Sequence, residues 1–175
     1  MTHKDFSLIQ SEEPDIWDFK KHGEKIGRCQ IEFLDHETFL FLEEEVMIEN
    51  GLTDIINASE NNNGICYLSW ISINHKERGN KYGRILLNMT IELLQNKYDG
   101  YPIFLSATSF GKDLNAKDLV KFYSDRGFKA LTECLKTSCY MFSENTALLK
   151  LSEKTYINTI LENIVISENP IQQKL

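Results

Sequence analysis

The chain has 175 residues, 42% of them hydrophobic, with 26 acidic and 19 basic side chains and a formal net charge of −7. That is the length of one domain, able to bury a core without disulfide staples; no apolar run approaches the roughly 20 residues of a membrane span, and the N-terminus is expected to lack the apolar core of a signal peptide. The acidic balance disfavours a broad nucleic-acid-binding face and mildly favours a cationic partner, an amine or a basic peptide.

The first twenty or so residues, rich in Glu and Asp with Trp17 and Phe19 among them, read as an irregular or partly helical lead-in. Cys29, Ile31 and Phe33 alternate with polar neighbours, the period of a strand with one buried face. Asp35-His36 suits a turn, and Thr38 to Leu42 is an aromatic and aliphatic run that predicts a second strand. Glu43 to Ala58 carries no clear signal. Asn61-Asn62-Asn63-Gly64 is a turn, and Ile65 to Ile73 is rich in β-branched and aromatic residues, which predicts a strand.

A polar loop from Asn74 to Gly83 follows. Beyond it Ile85, Leu86, Met89, Leu93 and Leu94 recur at helical spacing, with Leu87 and Ile91 on an adjoining stripe, until Asp99-Gly100. Ile103 to Ala107 predicts a buried strand. Asn115 with Asp118 three residues on suits a helix start, Leu119, Phe122 and Tyr123 give its apolar stripe, and Gly127 ends it. Phe128 to Phe142 predicts two short strands. Ile157, Ile160, Leu161 and Ile164 predict an amphipathic helix over about 153–166. The order of elements predicts one α/β domain, a mixed sheet with helices on both faces.

The segment Arg78-Gly79-Asn80-Lys81-Tyr82-Gly83-Arg84 lies between the predicted strand and helix, where an anion binds most readily. First-turn N–H groups lack intrahelical partners and the helix dipole adds positive charge. Glycines let the backbone approach a phosphate, and Arg78, Lys81 and Arg84 surround the spot with cations. The alternative is a solvated surface turn. The segment is not a P-loop, having no Gly-Lys-Ser/Thr ending, nor does it carry the three-glycine dinucleotide spacing.

The strand Leu68 to Ile73, this loop and the aliphatic helix after it resemble the acetyl-CoA motif of the GNAT acetyltransferases, whose loop runs Arg/Gln-x-x-Gly-x-Gly/Ala. Arg78 matches the first position and Gly83 the last, while Lys81 stands where the first glycine is usual. Lys81 must therefore adopt that conformation without glycine's freedom. Leu119 to Phe128 looks like the family's Leu-Tyr-x-x-x-Gly-Phe helix end, with Tyr123 at the tyrosine position. The family's asparagine, seven residues before this tyrosine, falls on Ala116, one place after Asn115. The resemblance covers about Gly64 to Phe142.

The resemblance implies a GNAT-like, mostly antiparallel central sheet, acetyl-CoA as co-substrate without a metal, and transfer of its acetyl group to a primary amine of a small molecule, peptide or protein. It implies cofactor contacts from Ile71, Ser72, Ile73, from Arg78 to Arg84, and from Asn115, whose N-cap role is an equal account. A backbone N–H of Ile71 to Ile73 would face the developing oxyanion, the splayed strand edge would pair with pantetheine amides, and Tyr123 would stand near the sulfur as a non-essential acid. Tyr123 as a plain core aromatic is the competing account. No general base stands out: the run Glu43-Glu44-Glu45 and the residues His75 and Glu77 suit solvated faces, and His22 and His36 suit loops without partners.

Two other functions remain open. One is a non-catalytic coenzyme A-binding module of the same fold. The other is an RNA-directed acetyltransferase, against which the pI of about 5.1 argues. A cytoplasmic location without nucleic-acid or membrane partners is expected, and the tail helix could carry a homodimer contact. Cys29, Cys66, Cys134 and Cys139 are scattered, without zinc-type spacing, and no bridge between Cys134 and Cys139 is expected.

Overall fold

Two antiparallel pairings open the chain, where the sequence suggested an irregular lead-in. The computed structural model describes residues 5–108, 116–131 and 138–150. Strand β1 (Phe6–Gln10) pairs with β2 (Ile16–Lys21), and β2 with β3 (Glu24–Leu34). The reason is alternation within a polar stretch. Trp17 and Phe19 are buried while their neighbours are half-buried, and Phe6 and Leu8 pack on the same core. The acidic residues that hid the signal sit in the turn between β1 and β2, where Asp15 takes a positive φ of 61°.

The predicted strand over Thr38 to Leu42 is a helix. Helix α1 spans His36–Glu49 and α2 spans Thr53–Asn61, filling the stretch that gave no signal. Asp35 caps α1: its Oδ1 accepts the Thr38 N–H at 2.7 Å. Phe39 is fully buried whereas Phe41 is 87% exposed, so the aromatic run spreads over two sides of the helix.

β4 (Ile65–Ile73) lies antiparallel to β3, followed by a short 3₁₀ turn at His75–Glu77 and helix α3 (Tyr82–Lys97). β5 (Ile103–Thr108) returns parallel to β4. Helix α4 (Ala116–Ser124) leads to β6 (Lys129–Ala130) and β7 (Ser138–Ser143), and β7 pairs antiparallel with both β5 and β6. The seven-stranded order is β1-β2-β3-β4-β5-β7-β6, antiparallel except at β4–β5.

Helices cover both faces. α3 and the apolar side of α4 pack on one face, with Leu86, Leu87, Ile91 and Leu94 of α3 fully buried. α1 and α2 cover the other through Phe39, Met47 and Ile55, against Ile65, Phe104 and Phe142. Every residue of α3 from Ile85 to Leu94 is buried, hence its two adjoining stripes. Phe33, expected inside with Cys29 and Ile31, is 37% exposed at the rim and stacks on Tyr98, ring centroids 5.6 Å apart. Asn115, Cys134 and the predicted tail helix over 153–166 lie outside the described residues.

Candidate functional site

The parallel pair β4–β5 is joined over only two residue pairs, Cys66↔Ile103 and Tyr67↔Phe104. β4 then continues to Ile73 with β3 on one side and, among the described residues, no ladder partner on the other. β5 instead follows β7 up to Thr108↔Ser138. The two strands therefore diverge toward their C-terminal ends, leaving a slot edged by main chain. Open α/β sheets bind ligands at such carboxyl ends. A bulge accompanies the divergence: Ser69 is left over between the pairs Gln30↔Trp70 and Ile31↔Leu68. An extra residue bends a strand and increases its twist.

The expected residues Ile71, Ser72 and Ile73 sit on this diverging end, opposite Cys29, Arg28 and Gly27 of β3. The strand end is tied down where it leaves the sheet, since the Asn74 N–H donates to the Ile26 carbonyl at 2.8 Å. Arg78 Nε reaches back to the Ile73 carbonyl at 3.4 Å. Asn80 Nδ2 donates to the Glu77 carbonyl at 3.3 Å. The loop is thus folded on itself with its backbone outward.

Five consecutive N–H groups, Gly79 to Gly83, make no hydrogen bond to another described residue, while the amides of Arg78 and Arg84 on either side are engaged. Helix α3 starts without a side-chain cap and without an acidic residue in its first turn. Its dipole is unneutralised at that end. Lys81 is left-handed, φ 62° and ψ 14°, as expected of the residue at the usual glycine position. Gly79 is also left-handed, at φ 86°. A Cβ on Gly79 or Gly83 would meet nothing within 4 Å, so space lies open over the loop. Arg78, Lys81 and Arg84 are exposed around it. Tyr82 differs from expectation: only its backbone faces the loop, because the ring is buried and its hydroxyl accepts from Lys21 Nζ at 2.7 Å.

Tyr123 lies on the α3 face, edge-on to Phe122 and Phe128. Burial raises its phenol to about 12. It stays protonated at any physiological pH. One turn later Arg126, 7% exposed, donates through Nε to the Asn88 side-chain oxygen at 3.1 Å, which holds the end of α4 against α3.

Across the sheet, beside the bulge, is a group of residues that sequence reasoning did not assemble. Glu32 of β3 accepts the Ser69 hydroxyl, and the Trp70 indole donates to Gln30 Oε1 at 2.6 Å. Glu43 of α1 is half-buried, and burial together with the Glu32 carboxylate raises its pKa above the ordinary glutamate value. Burial and the nearby acids also raise Tyr67 of β4, and burial and Glu43 raise Tyr140 of β7. No lysine or arginine among the described residues forms an ion pair with Glu32 or Glu43. The only signal in the sequence was the run Glu43-Glu44-Glu45. Helical geometry turns Glu43 inward while Glu44 and Glu45 are exposed.

The histidines stay apart from this group. His36 opens α1 and shares a hydrogen bond with Ser59 at 2.8 Å, so it has the partner that the sequence did not reveal. His22 sits in a turn, 3.5 Å from Asp5. His75 is exposed and Glu77 half-buried in the 3₁₀ turn. Among the described residues no group of three or more His, Cys, Asp or Glu could hold a metal ion, and no helix is long and apolar enough to cross a membrane.

No family model and no curated protein matches the chain. Among solved structures, it is similar to arylalkylamine N-acetyltransferase 2 from Aedes aegypti, at 13% identity over 73% of this chain and 72% of that one, with a TM-score of 0.48. It is similar to an N-acetyltransferase from Staphylococcus aureus, at 15% identity over 74% and 69%, TM-score 0.45. The third is Arabidopsis thaliana NAA60 in complex with acetyl-CoA, at 14% identity over 81% and 88%, TM-score 0.45. The chain is thus similar, at low identity, to acetyltransferases of known structure.

Proposed function

We propose that this protein is a GNAT-like N-acetyltransferase that takes acetyl-CoA as co-substrate and acetylates a primary amine carried by a small molecule or peptide. The observation that carries the reading is the divergence of β4 from β5 directly before a loop of five unengaged amides. Such a site suits a ligand that is long, rich in amides and anionic at one end. Coenzyme A has that form. The amides of Gly79 to Gly83 and the dipole of α3 would hold its pyrophosphate, with Arg78, Lys81 and Arg84 supplying cations. The open edge of β4 from Ser69 to Ile73 would pair with the pantetheine amides as an added strand does.

Bound in this way, acetyl-CoA supplies an acetyl group activated as a thioester. The chain's own residues then have two tasks. A backbone N–H of Ile71 to Ile73 stabilises charge on the acyl oxygen. Glu43, raised toward neutrality beside Glu32, draws in the acceptor as an ammonium ion and takes its proton so that the neutral nitrogen can attack. Tyr67 and Tyr140 border the same approach. The Tyr123 phenol is a proton donor of last resort, because at about 12 it is a weaker acid than an ordinary thiol near 8.5.

The test is release of free thiol from acetyl-CoA with a panel of small amines and peptide N-termini. Amine-dependent release supports the enzyme. Coenzyme binding with no release across the panel favours the non-catalytic module.

A further inference from the structure

Arg126 is nine-tenths buried, yet no carboxylate among the described residues forms an ion pair with it. A guanidinium has five donors. The Nε donor goes to Asn88, itself 2% exposed, and neither terminal nitrogen makes a hydrogen bond to a described residue. The position is fixed by main chain on both sides: the Arg126 N–H donates to the Tyr123 carbonyl at 2.9 Å, and the Arg126 carbonyl accepts from the Lys150 N–H at 2.8 Å. A buried charge normally has a counter-ion. Burial lowers the Arg126 pKa; the nearby Asp125 carboxylate opposes this without forming an ion pair, and the charge of Arg84 adds to the lowering.

Arg84 stands one helical turn before Asn88 on the same side of α3, and in the first turn, directly after the unengaged amides. Arg84 and Arg126 thus both stand on the Asn88 side of α3 near its anion-binding end, one exposed and one set in the wall. A planar fork of this kind matches the oxygens of a phosphate group. The loop amides and the helix dipole are already assigned the pyrophosphate. Arg126, held on Asn88, sits one turn further along, toward α4, and implies a phosphate group beyond it.

We infer that Arg126 and Arg84, with Asn88 as the residue that positions Arg126, form a phosphomonoester site that takes the 3′-phosphate of coenzyme A. The inference rests on the acetyl-CoA reading, whose pyrophosphate it presumes on the loop, and adds that the protein distinguishes coenzyme A from its 3′-dephospho form.

The experiment measures affinity for coenzyme A and 3′-dephospho-coenzyme A by calorimetry, in wild type, Arg84→Gln and Arg126→Gln. Wild type should prefer coenzyme A by about tenfold or more, the value of a charge-assisted pair; Arg126→Gln should bring the ratio toward one with little change for the dephospho form, and Arg84→Gln should bring it toward one while weakening both ligands, since Arg84 also faces the pyrophosphate. Arg84 is exposed, so its variant carries the test if Arg126→Gln does not fold. Equal wild-type affinity for the two ligands, or a ratio that survives Arg84→Gln, overturns the site while leaving the cofactor reading intact. Wild type that binds neither ligand overturns both.

Discussion

Lys21 Nζ donates to the Tyr82 hydroxyl at 2.7 Å and lies 5.1 Å from the centre of the same ring. This contact, from the last residue of β2 to the first residue of α3, pins the ring under β1 and β2 while the Tyr82 N–H faces the loop. Phe6 meets the ring edge-on at 5.4 Å. Tyr82→Phe, which removes one hydrogen bond from a charged donor, should therefore lower the melting temperature and leave coenzyme affinity within about twofold. Tyr82→Ala should destabilise by about 3–5 kcal/mol, as for other buried aromatics, and weaken binding by loosening the helix start. Thermal melts with calorimetry on both variants check the contrast. Binding lost equally in both would assign the hydroxyl to the ligand.

Lys81 holds a left-handed conformation that costs a non-glycine residue about 1–2 kcal/mol. Lys81→Gly removes this strain but adds chain entropy to the unfolded state, about 0.5–1 kcal/mol. The expected outcome is a small net stabilisation, up to about 1 kcal/mol, by urea unfolding. Lys81→Val should destabilise, because a β-branched residue tolerates positive φ worst. Equal stability of the Gly and Val variants would contradict the observed geometry.

Glu92 of α3 is 6% exposed, its Oε2 has no hydrogen-bond partner among the described residues, and burial pushes its pKa up to about 7. The folded value exceeds the unfolded one, so the folded state binds the extra proton between about pH 4.5 and 7. Stability from this group is greatest below that window and falls as the pH rises through it. Relative to Glu92→Gln, wild type should lose on the order of 3 kcal/mol between pH 4.5 and 8. Denaturant melts across that range check the difference curve. A flat difference would mean that Glu92 is solvated or paired.

Glu43→Gln should lower turnover at least tenfold, within the range of general base removal, and abolish the acidic limb of the pH–rate profile. Tyr123→Phe should reduce turnover modestly with little change in coenzyme affinity. Unchanged turnover in the Tyr123 variant would remove that hydroxyl from the reaction, and an unchanged acidic limb in Glu43→Gln would do the same for the base. Steady-state rates from pH 4 to 9 decide both.

The legible parts of the sequence were those where one local signal dominated. Ile65 to Ile73 is rich in β-branched and aromatic residues, and is β4 to the residue. The aliphatic repeat after Gly83 is α3. Misread parts carried signals that tertiary packing resolved. Thr38 to Leu42 has strand-like residues, but Asp35 as a cap and the helix-forming glutamates behind it outweigh them. The hairpin strands were masked by acidic turn residues, though Phe6 and Leu8, and Trp17 and Phe19, alternate as strands do. The loop of the candidate site was legible because its amides follow from chain order alone. The Glu32–Glu43 side was not, because four separate elements bring its residues together.

Calorimetry of acetyl-CoA against wild type and Gly83→Val tests the central claim most directly. Open space surrounds the Gly83 Cβ position, and the residue stands in the first turn of a helix, so the variant has room to fold. Its added methyls occupy the space over the amides where a pyrophosphate would lie. Saturable wild-type binding, weakened at least tenfold in a variant that melts like wild type, is the predicted result. Wild type that binds no acetyl-CoA, or a folded variant that binds it equally well, would contradict the placement of the coenzyme on this loop.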